Sequence, residues 1–486
     1  METKKPVVIG VIKKMKPAFT IKMVLFFSLL ISLNSFAQNP KIKCYFNHPV
    51  NNSVSSGTNA IYLNGTFKDT LIAYINRAKY SIDLCVYNYY STSASDAINA
   101  IATAVNNAYT RGVTIRWIGN GSSSNSGYTY LNSNIQTVTS PTTSTYGICH
   151  NKFVVFDANS TNANDPYVWT GSYNFSTEQN NTDYNNVIII QDKNVAQAYY
   201  NEFNKMWGST TATPNATNSK FGTTKTASAV NTFTVNGTHV EVYFSPKDAA
   251  TTHLTSTINS ANNEIFFGIY TFTDNNVANA IKNKIIAGVA AHGIMDVFSQ
   301  TYTPYTTLSA SGVMGSNNLK VYNGGASALY HNKIMVVDAL HPSSDPQVGA
   351  GSFNWTSSAN NSNDENFIII HDSTIANEYY QSLCKNFTDV GGAACPAMSG
   401  IDEYDFGQQQ FAVYPNPSSN VLNISVKNAG TKLSVKVIDQ LGKVVSETTV
   451  LHSDLATINV EALSPGLYFV EIQRGDKTFA QKFLKQ

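Results

Sequence analysis

The chain carries one long pattern twice, and this duplication constrains its fold more than any other feature. His150, Asn151 and Lys152 are followed by Asp157, and His331, Asn332 and Lys333 are followed by Asp338. Each copy then runs into a second cluster at matched offsets, Gly171, Ser172 and Asn174 in one and Gly351, Ser352 and Asn354 in the other. The repeat extends on both sides. VIIIQDKNVAQAYYNEFNKMW from Val187 corresponds to FIIIHDSTIANEYYQSLCKNF from Phe367, and IAYINRAKYSIDLCVYNYY from Ile72 to LTSTINSANNEIFFGIYTF from Leu254. An apolar run of strand length followed by apolar residues at helical spacing reads as β then α, and an internal repeat is settled before any other fold assignment. The expected fold is therefore α/β, two pseudo-symmetric halves with mostly buried sheets, followed by a small all-β sandwich.

A phosphodiester is an anionic electrophile. Its cleavage needs cations on the non-bridging oxygens, a nucleophile, and an acid for the departing alkoxide. Two histidines and two lysines supply all of these, because imidazole near its ordinary pKa of about 6.5 serves as nucleophile when neutral and as acid when charged. Lys152 and Lys333 stand two residues beyond His150 and His331, on the same strand face, and Asn174 and Asn354 add neutral donors. No metal or other cofactor is required. The string of offsets resembles the phospholipase D superfamily, whose signature is His-x-Lys, four residues, Asp, a short gap, then Gly-Ser-x-Asn. The resemblance implies two halves packed face to face about a pseudo-twofold axis, each giving one His-x-Lys strand to a shared cleft.

It also implies how the histidines are supported. Eleven residues after each motif asparagine the second half has Glu365 and the first has Asn185; in the family, residues at these positions orient the histidine of the opposite half. Glu365 is accordingly expected to hold His150 and Asn185 to hold His331, which makes His150 the nucleophile and His331 the general acid. Both imidazoles are expected in an open polar cleft. Asp157 and Asp338, five residues beyond the lysines and so on the opposite strand face, are read as structural, as are Ser172 and Ser352. Tyr173, Phe175, Phe353 and Trp355 are read as core. His239, His253, His341 and His371 lack motif context and are read as surface residues.

The ends differ from the repeat. Six lysines precede the apolar stretch at residues 24–33, and Ser35, Phe36 and Ala37 supply small residues for a signal peptidase, so residues 1–37 read as a secretory signal that starts at Met1 or Met15. Its removal takes away six lysines and one glutamate and leaves 26 basic against 30 acidic residues, net −4. That balance argues against a stable nucleic-acid complex. The halves are placed at residues 38–208 and 233–390, joined by a Thr, Ser and Asn-rich linker at 209–232. Of the five cysteines, Cys384 and Cys395 can bridge in an oxidising compartment, while Cys85 and Cys149 read as buried apolar residues. A Gly and Ala-rich linker (391–408) leads to alternating short strands at 409–486. Tyr414-Pro415-Asn416-Pro417, the turn from Leu463 to Tyr468 and the basic tail closely resemble the C-terminal sorting domain of type IX secretion substrates. These readings predict a secreted or cell-surface phosphodiesterase, exported via the periplasm by the type IX machinery. A phospholipase D acting on glycerophospholipids is expected, with a nuclease of the same superfamily as the alternative substrate class and a noncatalytic surface protein as the third. A monomer with an internal pseudo-dimer is expected.

Overall fold

Apolar runs such as NVIII (Asn186–Ile190) and KIMVV (Lys333–Val337) are buried at every position, as strands covered on both faces must be. The computed structural model describes residues 39–397, 411–426, 433–439, 443–450, 455–474 and 477–486. The expected signal segment and residues 398–408 of the expected linker lie outside them. The chain divides into two compact units at Met398/Ser399.

In the first half of unit one the strands are β1 (Ile42–Phe46), β2 (Ile61–Tyr62), β3 (Ser81–Val86), β4 (Thr114–Gly119), β5 (Gln136–Thr139), β6 (Lys152–Phe156), β7 (Tyr167–Gly171) and β8 (Asn186–Ile190). They order as β2-β1-β8-β7-β6-β3-β4-β5. The second half has β9 (Thr232–Val235), β10 (Thr238–Ser245), β11 (Glu264–Ile269), β12 (Ala290–Asp296), β13 (Leu319–Tyr322), β14 (Lys333–Val337), β15 (Gln347–Gly351) and β16 (Glu365–His371), ordered β9-β10-β16-β15-β14-β11-β12-β13. The two mixed sheets therefore share one topology. They differ at one edge, where β2 runs parallel to β1 but β9 antiparallel to β10.

Helices Lys193–Trp207 and Ser373–Asp389 begin at Asp192 and Asp372, whose side chains accept from the N–H groups of Asn194 and Val195, and of Thr374 and Ile375. The first ends at Gly208, whose φ of 79° fits the left-handed C-terminal cap. Both helices belong to a central core that mixes residues of the two halves, whereas the outer face of each sheet has its own core. Tyr199 of the first helix meets Phe244 of β10 edge-on with ring centroids 5.0 Å apart. Tyr379 of the second meets Phe46 of β1 at the same 5.0 Å. Each half thus packs its helix against the other half's strand, and such edge-to-face pairs contribute about 0.5–1.5 kcal/mol beyond burial.

Asp157 and Asp338 close the turns that feed β3 and β11. The Asp157 carboxylate accepts from the N–H groups of Lys79, Tyr80 and Ser81, and Asp338 from those of Asn262, Asn263 and Glu264. Tyr173, Phe175, Phe353 and Trp355 are buried in the outer cores. Cys384 and Cys395 are disulfide-bonded, and Cys44, Cys85 and Cys149 are free and buried.

The segment expected as a polar linker is fastened to both halves. Lys225 is buried, with Nζ bonded to Glu202 of the first half, at 2.6 Å from Asp364 of the second, and donating to the Ser245 carbonyl at 2.9 Å. Burial alone would lower this lysine's pKa, but the two carboxylates outweigh it and raise it. Asp364 also accepts from Tyr146 Oη and from the Gly222 N–H.

Unit two holds a three-stranded sheet, β17 (Phe411–Tyr414), β18 (Val421–Val426) and β21 (Leu455–Asn459), and a four-stranded one, β20 (Val444–Val450), β19 (Leu433–Asp439), β22 (Gly466–Arg474) and β23 (Lys477–Lys485). Leu422, Ile424, Val435, Val437, Val470 and Phe483 are among the residues of its core, as the alternation in sequence requires.

Lys225→Ala would strip the buried Asp364 of its cation and leave the buried Glu202 with only the partly exposed Lys205. It is expected to lower the stability of unit one by about 3–5 kcal/mol, the range for breaking a buried ion pair, as read from urea unfolding. A loss below about 1 kcal/mol would mean that the segment is not a fastening.

Candidate active site

β6 and β14 are equivalent central strands, and each motif histidine stands two residues before its strand's first residue. The chain entering each strand is fixed by the opposite half. His150 N–H donates to the Asp364 carbonyl at 2.9 Å and Asp364 N–H to the Ile148 carbonyl at 2.9 Å; in the mirror position Tyr184 N–H donates to the Leu329 carbonyl at 2.8 Å. Deeper in, Asn186 Nδ2 donates to Asn332 Oδ1 at 2.9 Å and Asn366 Nδ2 to Thr170 Oγ1 at 2.6 Å.

These contacts set up reciprocal support. His150 Nδ1 lies 2.8 Å from Glu365 Oε2, and His331 Nδ1 lies 3.0 Å from Asn185 Oδ1. Each supporting oxygen accepts a further bond from its own half's motif serine, Ser352 Oγ to Glu365 at 2.7 Å and Ser172 Oγ to Asn185 at 2.8 Å. Asn185 Nδ2 is spent on the carbonyls of Gln179 and Asp183 at 3.0 and 3.2 Å, so its oxygen must be the end that faces His331. An amide oxygen or a carboxylate only accepts, so both imidazoles carry their proton on Nδ1 and leave Nε2 unprotonated.

Lys152 Nζ donates to the carbonyl of His150 at 2.8 Å, and Lys333 Nζ to that of His331 at 2.6 Å. Asn354 Oδ1 accepts from the Thr271 N–H at 3.3 Å, which leaves its N–H2 end as the available donor, while Asn174 Oδ1 is buried with no partner among the described residues. Two tyrosines not singled out in the sequence complete the lining. Tyr87 and Tyr270 directly follow β3 and β11; their N–H groups bond to the Asn151 and Asn332 carbonyls at 2.8 and 2.9 Å. Their rings sit 5.2 Å from His150 and 5.4 Å from His331, with the ammonium groups of Lys152 and Lys333 over them at 5.2 and 5.1 Å. Both halves carry tyrosine one residue past equivalent strands, a match that the paired stretches show only after a one-residue shift. In total, His150, His331, Lys152, Lys333, Glu365 and Asn185 converge, with Ser172 and Ser352 behind them, whereas Asp157 and Asp338 bind backbone elsewhere.

The open cleft expected for the histidines is a correction: His150 is 7 % exposed and His331 5 %. Burial has consequences for charge. It pushes His150 down to about 4, with Glu365 pulling against it and Lys152 and Lys333 adding to it. His331 is held well below the usual imidazole value by burial and by Lys333, Lys152 and His150. Lys152 is lowered to about 7 by burial against the pull of Glu365, and Lys333 well below its ordinary value by burial and by Lys152. Burial would raise Glu365, but His150, Lys152 and the Ser352 hydroxyl hold it below the usual range as a carboxylate. Four potential cations thus share one buried space with Glu365, and Asp183 and Asp296 act on Lys333 from farther off, so the cationic groups lead and favour an anionic guest.

The model of a family described as "Cardiolipin synthase, PLD-like domain" matches residues 71–207 and 254–386, and that of "Secretion system C-terminal sorting domain" matches residues 412–486. A phospholipase D of Rickettsia prowazekii (strain Madrid E) is 26 % identical over 146 residues, 30 % of this chain and 65 % of the relative. A mitochondrial cardiolipin hydrolase of Xenopus tropicalis is 30 % identical over 140 residues, 28 % of this chain and 59 % of the relative. The chain thus spans just under two thirds of these curated relatives. Among solved structures, phosphatidylserine synthase of Haemophilus influenzae Rd KW20 covers 71 % of this chain and 85 % of its own at 14 % identity, with a TM-score of 0.49.

An anion bound among these groups raises their pKa values, so binding should draw protons from solution near neutral pH. Calorimetric titration with inorganic sulfate, an anion that does not itself titrate at pH 7, in buffers of different ionisation enthalpy, is expected to show net proton uptake. Proton release on binding would mean that the cations are already charged in the empty site.

Proposed function

Because this chain belongs to the PLD-like domain family of the cardiolipin synthase type, we propose that it is a phosphodiesterase working through a phosphohistidine, with glycerophospholipids as substrate. The observation that carries the reading is the reciprocal pairing of His150 with Glu365 and of His331 with Asn185. It gives two imidazoles with free Nε2 atoms and unequal support. A carboxylate behind Nδ1 makes His150 the better nucleophile; a neutral amide leaves His331 the readier proton donor once a phosphate has raised its pKa.

In the first step His150 Nε2 attacks phosphorus, a P–N bond forms and the P–O bond to the leaving alcohol breaks, with the proton of His331 Nε2 passing to that oxygen. In the second step His331 takes a proton from water as the water oxygen attacks, and the P–N bond breaks to release the monoester and His150. Lys152, Lys333 and the amides of Asn174 and Asn354 hold the non-bridging oxygens.

The sorting-domain match at the C terminus marks a secreted or cell-surface protein, and passage through the periplasm with handling by the type IX machinery is part of this proposal. The lipid assignment rests on the curated relatives named phospholipase D and cardiolipin hydrolase and on one surface feature. Phe298, 49 % exposed, stacks on Tyr270 at 5.8 Å, and Tyr270 flanks His331, so an aromatic path leads from the histidine to solvent. Such a surface suits the glycerol and acyl region of a lipid. It also suits a stacked base, which keeps a nuclease as the second reading. The two are separated by assaying the protein on mixed phospholipid vesicles and on single-stranded DNA side by side.

Phe298→Ser is expected to slow vesicle hydrolysis at least ~10-fold while leaving a small soluble diester, bis(p-nitrophenyl) phosphate, turned over at close to the original rate. Equal loss on both substrates would place Phe298 in support of the site and not in lipid docking.

His150→Asn and His331→Asn are each expected to abolish turnover and to fail differently. With a substrate whose leaving group needs no acid, His331→Asn should accumulate an acid-labile phosphoenzyme and His150→Asn none. Label found on residue 331 in the unaltered protein would reverse the two roles.

A further inference from the structure

A second constellation lies on the second-half sheet, at the far end of β16 from Glu365. His239 and Glu241 alternate on β10 and so share a face, and His371 is the direct cross-strand partner of His239. His371 Nε2 is 2.9 Å from Glu241 Oε1, His239 Nε2 is 3.6 Å from the same oxygen, and the three ligand atoms lie within 4.8 Å of one another. Tetrahedral zinc with ligands at about 2.0–2.1 Å places neighbouring ligand atoms about 3.3 Å apart, within reach of this spacing by small side-chain adjustments.

The outer contacts fix the orientation of His371. His371 Nδ1 is 3.0 Å from Asp345 Oδ2, and Asp345 is itself held by Gln347 Nε2 at 2.9 Å. A carboxylate on the far nitrogen of a ligating histidine fixes its tautomer and strengthens it as a ligand. The other oxygen of Glu241 accepts from Tyr243 Oη. Without an ion, burial would lower the pKa of His371, but its bonds to Glu241 and Asp345 outweigh that and raise it; Glu241 is lowered to about 2, first by His371.

The duplication supplies an internal control. In the first half β1 pairs with β8 as β10 pairs with β16, with Phe46 opposite Asn186 where Phe244 is opposite Asn366. Counting along from there, His239, Glu241 and His371 correspond to Lys41, Lys43 and Gln191. The first sheet forms the same ladder with no ligand at any of these places, so the fold does not require the cluster.

We propose that His239, Glu241 and His371 form a site for a divalent transition-metal ion of the zinc class, with Asp345 orienting His371. Two imidazoles and one carboxylate suit zinc better than magnesium or calcium, which take oxygen ligands. His239 is 48 % exposed on its side chain, so the fourth coordination position is open to water. Glu365 and His371 stand six residues apart on one strand, about 20 Å at ~3.3 Å per residue, so the ion takes no part in the phosphodiester chemistry.

The test is calorimetric titration of the full-length protein with zinc chloride, repeated with cobalt(II), whose visible absorption reports a four-coordinate nitrogen and oxygen environment. One ion per chain is expected, with affinity reduced ~10-fold or more in His239→Ala and ~10–100-fold in Asp345→Ala. Circular dichroism of the exposed His239→Ala variant should be unchanged. Failure of the unaltered protein to take up either ion would overturn the proposal. So would uptake that His239→Ala leaves at full strength, since the ion would then sit elsewhere, for instance on His150 and His331.

Discussion

Everything in the catalytic unit depends on one exchange: each half supplies an imidazole, and the other half supplies the oxygen that orients it. Neither His150 nor His331 has its Nδ1 partner within its own half, so neither half alone holds a competent site. The rest of the architecture serves to keep the halves in register. Tyr199 against Phe244 and Tyr379 against Phe46 lock helices to strands across the core. The Asp364 and Tyr184 backbones clamp the chain entering β6 and β14. Lys225 then ties the connecting segment to Asp364, the residue immediately before Glu365. A shift of one strand against the other would move a supporting oxygen out of hydrogen-bond range while leaving both sheets intact.

Burial gives this exchange its chemical effect. A surface histidine near its ordinary pKa would be partly charged at neutral pH and open to water. Here desolvation and neighbouring lysines keep both imidazoles neutral in the empty site, and a carboxylate stays ionised behind one of them. A phosphodiester entering the space brings the negative charge that the lysines lack. In the proposed reaction, substrate binding and the charging of His331 are one electrostatic event, so the acid forms where and when the leaving group needs it.

Much of this was legible in the sequence, for identifiable reasons. The motif histidines and lysines announce themselves by matched offsets, and Glu365 and Asn185 by their common distance from Asn354 and Asn174. The strands around them are short apolar runs with no competing period. What stayed hidden required through-space information. Lys225 sits among Thr, Ser and Asn residues that give no sign of burial, and only the folded chain shows that two carboxylates remote in sequence converge on it. Tyr87 and Tyr270 look like ordinary residues past a strand end. The histidines lie deeper than their polar residue types suggest, because their polar partners come from the opposite half and let them be enclosed. His239 and His371 are 132 positions apart in the chain, and only the β10–β16 register makes them neighbours.

A duplicated fold separates structure from function without reference to any other protein. Positions that agree between the halves and bind backbone, such as Asp157 and Asp338, answer a demand of the fold. Positions that agree and gather around the buried motifs, such as the histidines, lysines and tyrosines, are those that the proposed reaction uses. The positions that disagree are the most informative, since the fold tolerates both residues. Glu365 against Asn185 breaks the symmetry of the two histidines at the cost of one carboxylate, and in the proposed reaction that single difference decides which imidazole attacks and which protonates. Were both supports carboxylates, each imidazole would be stabilised as a cation and neither would be the preferred nucleophile. Were both amides, neither attacking nitrogen would have its developing positive charge compensated. In the proposed reaction this asymmetry assigns the two roles that the symmetric scaffold leaves equivalent.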